Sequence, residues 1–288
     1  MDNSKRRIVI LSDTHMGRPK AKVWGPKALR PIWQHARATD VIINGDVAEV
    51  HDPIHRALAA KQVLELQTLC EEDGVRLTLL SGNHDPHLTD LRHLSLYQGE
   101  VFLTHGDMLH PAISPWNDYA PHLRALRTHA LACLDEGDKP TMYAHAHAAQ
   151  HASHVKWDEF AAHDMPKVTR AEKWLNKMLE VPRVFWYWHR LPRTASDFAA
   201  EYVPRARFFI FGHIHRAGIW EMAGRTIINT GSFDFPHQPR AVIIKRDQLS
   251  VWKLERRGMS YHLAGMPMRK WDLNNVQVMP VGDGLHAA

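Results

Sequence analysis

The chain has 288 residues, 44% of them hydrophobic and 23% charged, with a formal net charge of +5, a balance that excludes a disordered chain and suits one large α/β domain carrying an elaborate insertion. Cys70 and Cys133 stand far apart without a metal or redox spacing, which excludes a disulfide scaffold and points to a reducing compartment. No apolar stretch approaches the roughly 20 residues needed to cross a bilayer. The run 8–11 after the basic N-terminus is too short for a secretory signal, so a cytoplasmic location is expected.

In the first part of the chain, the runs IVILS (8–12), VIIN (41–44), RLTLLS (76–81) and VFLTH (101–105) predict four strands. Between the second and third, DPIHRALAAKQVLELQTLCEEDG predicts a helix with Pro53 in its first turn and Gly74 beyond its end. Strand, helix, strand repetition predicts parallel pairing of buried strands. From 106 to 207, about a hundred residues carry no convincing strand, a length that needs structure of its own. There APHLRALRTHALACLDEG, RAEKWLNKMLEV and RVFWYWHRL predict helices, and the span is expected to form a helical cap. RFFIFG, GIWEM, RTIINTGS, AVIIKR and SVWKLE then follow as closely spaced strands suited to antiparallel pairing. The expected division is a core of 1–105 and 208–257, a cap of 106–207, and a tail of 258–288 without an assigned role.

The ends of these strands hold Asp13-x-His15, Gly45-Asp46, Gly82-Asn83-His84-Asp85, His105 and Gly212-His213-x-His215. In an open α/β sheet, ligands collect at the carboxyl ends of strands, so residues distant in sequence can converge there. Two positions apart on an extended backbone, His213 and His215 point the same way. Any one of these pieces alone is most often a turn or a helix cap. Together they supply seven candidate ligands, Asp13, His15, Asp46, Asn83, His105, His213 and His215, which is an inventory for two metals. His145, His147, His151 and His154 include a trio at i, i+4 and i+7, but no acidic partner accompanies them, and a solvated helix face is expected.

With these pieces in place, the chain resembles the calcineurin-like metallophosphoesterases, whose pattern runs D-x-H, G-D-x-x-D, G-N-H-[DE], H and G-H-x-H. The match spans 8–215, and IINTGSFDFPHQPRAVI is similar to the Asn-x-Gly-Ser and Pro-Arg region that follows in many members. Glu49 stands where the pattern often has a second Asp, a position that is not a metal ligand. The resemblance implies a four-layer α/β/β/α sandwich with two mixed sheets, to which the helical cap is added. It implies that Asp13, His15 and His215 hold one metal and Asn83, His105 and His213 the other, with Asp46 bridging. A carboxylate can span two ions about 3.5–4 Å apart, and a hydroxide trapped between them is a nucleophile at neutral pH. Imidazole and carboxylate ligands suit divalent transition metals, with manganese expected ahead of iron, zinc, cobalt or nickel. His84 is implied as the acid that protonates the leaving oxygen, with Asp85 orienting its ring.

The expected activity is hydrolysis of a phosphodiester or pyrophosphate bond in a small phosphorylated substrate, because a cap narrows access to the metals. Residues 166–207 carry nine Lys or Arg against four Asp or Glu, an excess equal to the net charge of the whole chain, together with Trp174, Phe185, Trp186, Tyr187 and Trp188. Three uses compete with simple packing of the cap. The patch suits the phosphates and base of a nucleotide, the backbone of a nucleic acid as in a nuclease, or an anionic membrane touched through 183–193, where Val184, Phe185, Trp188 and Leu191 share a helical face. The membrane use resembles the lipid A pathway enzymes that cleave the pyrophosphate of UDP-diacylglucosamine, although those usually have Arg where this chain has His84. A non-catalytic metal-bound scaffold is the remaining alternative, and it fits poorly with every ligand position filled.

Overall fold

Two sheets lie at the centre of the computed structural model, which describes residues 6–18, 23–134, 140–163, 169–234 and 236–273; within 171–183 it describes the side chains of Trp174, Met178 and Pro182. In chain order the elements are β1 (Arg7–Leu11), α1 (Arg30–Ala36), β2 (Asp40–Asn44), α2 (Arg56–Glu72), β3 (Arg76–Leu80), β4 (His93–Leu96), β5 (Val101–Thr104), α3 (Ala120–Leu134), α4 (Met142–Ala162) and α5 (Arg170–Tyr202). After these come β6 (Phe208–Phe211), β7 (Gly218–Met222), β8 (Arg225–Asn229), β9 (Arg240–Lys245), β10 (Gln248–Arg257), β11 (Ser260–Leu263) and β12 (Arg269–Asp272).

The first sheet runs β11-β10-β9-β1-β2-β3, with β12 also on β10, and the second runs β4-β5-β6-β8-β7. β1, β2 and β3 are parallel, as helical crossovers require, and β9 closes on β1 antiparallel. The expectation of antiparallel pairing for the later strands holds for β7 with β8 and for β9 with β10, but not for β6, which lies parallel to both β5 and β8. The physical reason is the cap: its helices are the crossover between β5 and β6 and return the chain to the same end of the sheet.

Alternation along the strands divides the core. Ile8 and Ile10 of β1 face Leu103, Phe208, Ile210 and Ile228 of the other sheet, while Val9 and Leu11 face Ile32, Trp33, Leu66 and Leu69 of α1 and α2. On the far side, Phe209 and Phe211 of β6 pack on Ala146 and Ala149 of α4 and on Leu191, Ala195 and Ala199 of α5. The protein is therefore an α/β/β/α sandwich whose fourth layer is supplied by the cap helices. α5 runs unbroken through Pro182 and Pro192, where two helices were expected. Each proline costs about 3 kcal/mol inside a helix, and burial of Tyr187, Leu191, Ala195 and Ala199 at four-residue spacing against the second sheet offsets it.

α2 begins at Arg56, so Pro53 precedes the helix instead of sitting in its first turn. α1, β4, β11 and β12 are short elements without a sequence signal strong enough to predict them. β11 and β12 both pair with β10, so residues after 258, expected as an unassigned tail, extend the first sheet.

Candidate metal centre

The loops leaving β1, β2, β3, β5 and β6 meet at one end of the sandwich. Asp13, His15, Asp46, His213 and His215 all have φ between +45° and +69°, a backbone region that costs a non-glycine residue on the order of 1–3 kcal/mol and persists only where the surroundings enforce it. This corrects the expected origin of the His-x-His pair. β6 ends at Phe211, and the two imidazoles converge through a left-handed turn, not through side-chain alternation on a strand. Gly82 and Gly212 let these turns close, because a Cβ on either would stand 2.2 Å from Asp46 Oδ1 or 2.0 Å from Asp13 Oδ2.

Three groups of donor atoms result: Asp13, His15, Asp46 and His215 in one, Asp46, His105 and His213 in a second that shares Asp46 with it, and His15, Glu49 and His84 in a third. His215 Nε2 lies 3.4 Å from Asp13 Oδ1 and 3.1 Å from His15 Nε2. Asp46 Oδ2 lies 3.7 Å from His15 Nε2 and 3.2 Å from His105 Nε2. Asn83 Oδ1 stands 3.3 Å from His105 Nε2.

Three of the imidazoles have their outward nitrogen beside an oxygen acceptor: His15 Nδ1 at Glu49 Oε1, His105 Nδ1 at the Asn44 carbonyl, and His213 Nε2 at the Ile113 carbonyl. Donating an N–H outward leaves the other nitrogen with its lone pair directed inward, the arrangement a metal ligand needs. Inward-facing lone pairs and two buried carboxylates repel one another unless a cation sits among them. Protons take that place when no metal does: against the penalty of burial, Asp46 and Asp13 raise His105 to about 10. Burial and His105 push His213 down to about 4, so it stays neutral and able to ligate. The donor set fits two divalent cations, and a mixture of imidazole and carboxylate favours transition metals.

Glu49 has a larger part than its sequence position suggested. Buried, it contacts His15 Nδ1 at 2.9 Å through one oxygen and His84 Nδ1 at 2.8 Å through the other. Burial opposes its charge, yet His84 and His15 hold it well below the usual carboxylate range. The expectation that Asp85 orients His84 is corrected accordingly. Asp85 accepts the backbone N–H groups of Gly82, Val47 and Ala48, so it ties the loops after β2 and β3 together while Glu49 holds the ring. Burial and Asp46 push Asp85 up to about 7. The available signal was the departure from pattern itself: a longer acid at position 49 reaches two histidines.

The donors open into a cleft of about 260 Å³ that is also lined by Arg18, Ser114, Trp116, Asn117, Lys156 and Trp157. The cap reaches it through α4. Trp157 Nε1 donates to the Asn83 carbonyl at 3.0 Å, its ring lies 5.6 Å from that of His84, and Lys156 Nζ sits 4.2 Å from the Trp157 ring centroid. Burial lowers Lys156 to about 8. Neither residue was singled out from sequence, where the α4 histidines drew attention instead.

Those histidines disperse. His145 lies beside Arg127 and Tyr202, His147 packs on Tyr143, and His154 meets His51 and His87. His154 also has an acidic neighbour, Asp158 at 3.2 Å, contrary to expectation. The expected lipid-facing stripe is corrected as well: Leu191 is buried and Trp188 Nε1 donates to the Ile214 carbonyl. The exposed large hydrophobic residues described on α5 are Trp174, Met178, Phe185 and Trp186. Among the described residues no helix is long and apolar enough to cross a membrane.

Comparison with solved structures finds a predicted phosphoesterase from Streptococcus pneumoniae TIGR4 (13% identity over 93% of this chain and 98% of that chain, TM-score 0.42). It also finds a dimetal phosphatase from Danio rerio (12%, 90% and 98%, TM-score 0.45) and the phosphoesterase Yfce from E. coli (14%, 93% and 100%, TM-score 0.42). Comparison with curated proteins returns no match. The family model described as Calcineurin-like phosphoesterase matches residues 6–217, a span that takes in every donor residue of the centre, and the chain belongs to the calcineurin-like phosphoesterase family.

Proposed function

We propose that this metal-dependent phosphoesterase acts on a phosphodiester or pyrophosphate bond of a small phosphorylated substrate, with manganese as its working metal and the cytoplasm as its location. The observation that carries the reading is Asp46, shared by two of the donor groups at the floor of a cleft that the cap narrows. In this reading Asp13, His15 and His215 hold one ion, Asn83, His105 and His213 the other, and Asp46 both. Two such ions supply charge neutralisation for the phosphoryl oxygens and an activated water.

The remaining work falls to the chain. Arg18 from the core and Lys156 from the cap bring fixed positive charge to the cleft, where it is most effective against charge growing on the phosphoryl group. His84 donates Nδ1–H to Glu49, and its Nε2 makes no hydrogen bond among the described residues; burial disfavours the doubly protonated ring and Glu49 favours it, and in that form Nε2–H is the proton passed to the leaving oxygen. Trp157 keeps water from the far side of that ring and, through Asn83, holds the loop in place. The two free cysteines, Cys70 and Cys133, agree with a reducing cytoplasm.

The test is metal analysis of the purified protein with hydrolysis of bis(p-nitrophenyl) phosphate and p-nitrophenyl phosphate under Mn²⁺. Two ions per chain and a diester preference of about tenfold are expected; inert, metal-free protein would favour the scaffold. A second reading has its own observation. Trp174, Met178, Phe185 and Trp186 expose aromatic and apolar surface on a helix rich in Lys and Arg, which supports peripheral contact with an anionic membrane and a lipid pyrophosphate substrate. Cosedimentation with phosphatidylglycerol vesicles, lost in Phe185→Ser with Trp186→Ser, tests it.

A further inference from the structure

His215 lines one edge of the metal cleft. That residue also lines a second cavity of about 600 Å³, on the side of β9 and β10, together with Arg216, His237, Arg240, Lys253 and Arg256. His237 stands edge-on to His215 with ring centroids 5.2 Å apart, and the two spaces adjoin at His215. The acidic residue among the lining, Glu255, is engaged by Arg257 at 2.9 Å and does not answer the cavity's cations. The basic excess that sequence placed in the cap is thus matched by a cationic wall on the opposite strands.

Arg240, the first residue of β9, stands apart from the other arginines. Its backbone N–H donates to the Thr230 carbonyl at 2.7 Å, but its half-buried guanidinium makes no hydrogen bond or ion pair among the described residues. The other arginines that are not exposed reach an oxygen: Arg6 at Asp40, Arg18 at Asp234, Arg30 at Asp73, Arg92 at Asp107 and Arg207 at Glu100, with Arg7, Arg127 and Arg225 on backbone carbonyls. Burying part of a charge without a partner is costly. Nothing among the described residues offsets that cost at Arg240, and burial holds its pKa below the ordinary arginine value. A ligand anion would.

We propose that the cavity is a second anion subsite, in which Arg240, with Lys253 and Arg216, receives a phosphate group of the substrate other than the one being hydrolysed. The planar guanidinium fork matches phosphate oxygens in pairs. The volume falls in the range of small-molecule sites, about 300–1,000 Å³, which suits a nucleotide-sized bisphosphate held at two points. This assignment rests on the phosphoesterase reading and narrows it: the preferred substrate carries one phosphate at the metals and another beyond His215.

A matched pair of substrates tests it: the p-nitrophenyl ester of thymidine 5′-phosphate and the same ester carrying a 3′-phosphate, assayed with the Mn²⁺-loaded full chain. The wild type should prefer the 3′-phosphorylated ester by about tenfold or more in kcat/KM, as a charge-assisted phosphate contact implies. Arg240→Gln should bring the preference to about one, and Arg240→Lys should keep part of it. Lys253→Gln, an exposed change that leaves the core untouched, should lower it by a few fold. No preference in the wild type, or one that survives Arg240→Gln, overturns the subsite. Should the wild type hydrolyse neither ester, the phosphoesterase reading fails, and calorimetric binding of thymidine 3′,5′-bisphosphate decides the subsite separately: weakening of about tenfold in Arg240→Gln sustains it, and equal binding overturns it. Faster turnover of a short single-stranded oligonucleotide, with steep salt dependence, overturns the small-molecule substrate.

Discussion

His213 and His215 stand two positions apart after β6, and His145 and His147 stand two positions apart within α4, yet the first pair enters the metal groups and the second pair separates. On a helix, neighbours at i and i+2 point to different sides, and here one meets Arg127 while the other meets Tyr143. In the strand-end loop, two left-handed residues fold the chain so that both rings reach toward Asp13 and Asp46. The partners differ as much as the backbone. His213 gives its outward N–H to a carbonyl and keeps a lone pair inward, whereas the Nδ1 lone pair of His145 is occupied by Arg127. Ligand spacing therefore carries meaning only with a turn that converges it, and at His213 an acceptor behind the ring fixes the lone pair inward.

The largest effect that would break this contrast is loss of the shared carboxylate. Asp46→Asn should lower kcat/KM by about a thousandfold or more and reduce metal content below two per chain, read by elemental analysis. His84→Ala should retain both metals and lose about 10²–10³-fold on alkyl esters, but far less on p-nitrophenyl esters, because only poor leaving groups need the proton. Glu49→Gln should cost about tenfold to a hundredfold and weaken metal affinity together with kcat, since one carboxylate holds a ligand ring and the acid ring. Unchanged metal affinity in that variant would restrict Glu49 to His84. The contrast is sharpened by His147→Ala, which should leave metal stoichiometry and kcat/KM within about twofold of wild type, because this half-buried ring lies outside the metal groups.

The smallest effect is a pH dependence at the junction where α4 meets the core. Burial, with His154 and His87 nearby, lowers His51 from its ordinary 6.5 to about 4. Between those values the unfolded chain binds a proton that the folded protein refuses. The contribution to stability is complete above pH 6.5 and is lost as pH falls toward 4. Melting temperature should decline across that window, and His51→Phe should flatten the decline; an unaltered slope would place the proton uptake elsewhere.

Much of the architecture was legible because its signals are local. Apolar runs such as 41–44 and 208–211 report buried strands, and the polar residues that end them report turns. β4, β11 and β12 were not legible, since strands of four residues carry too little pattern, and the parallel placement of β6 depends on the whole cap acting as a crossover. Asp85 was misread for a similar reason. A carboxylate next to a histidine in sequence suggests a pair, but its oxygens went to the backbone of a different loop, while Glu49 reached the ring from 35 residues away.

What the sequence by itself determined is the set of donor types and the strand ends that present them, because side-chain chemistry and two-fold strand periodicity are written in adjacent residues. What only the tertiary structure decided is which group serves which. Glu49 at His84, Trp157 and Lys156 of the cap at the metal cleft, and the unpartnered guanidinium of Arg240 beyond His215 all depend on desolvation and distance between segments far apart in the chain. No local pattern encodes how much water a charge loses or what stands opposite it once the sheets have packed.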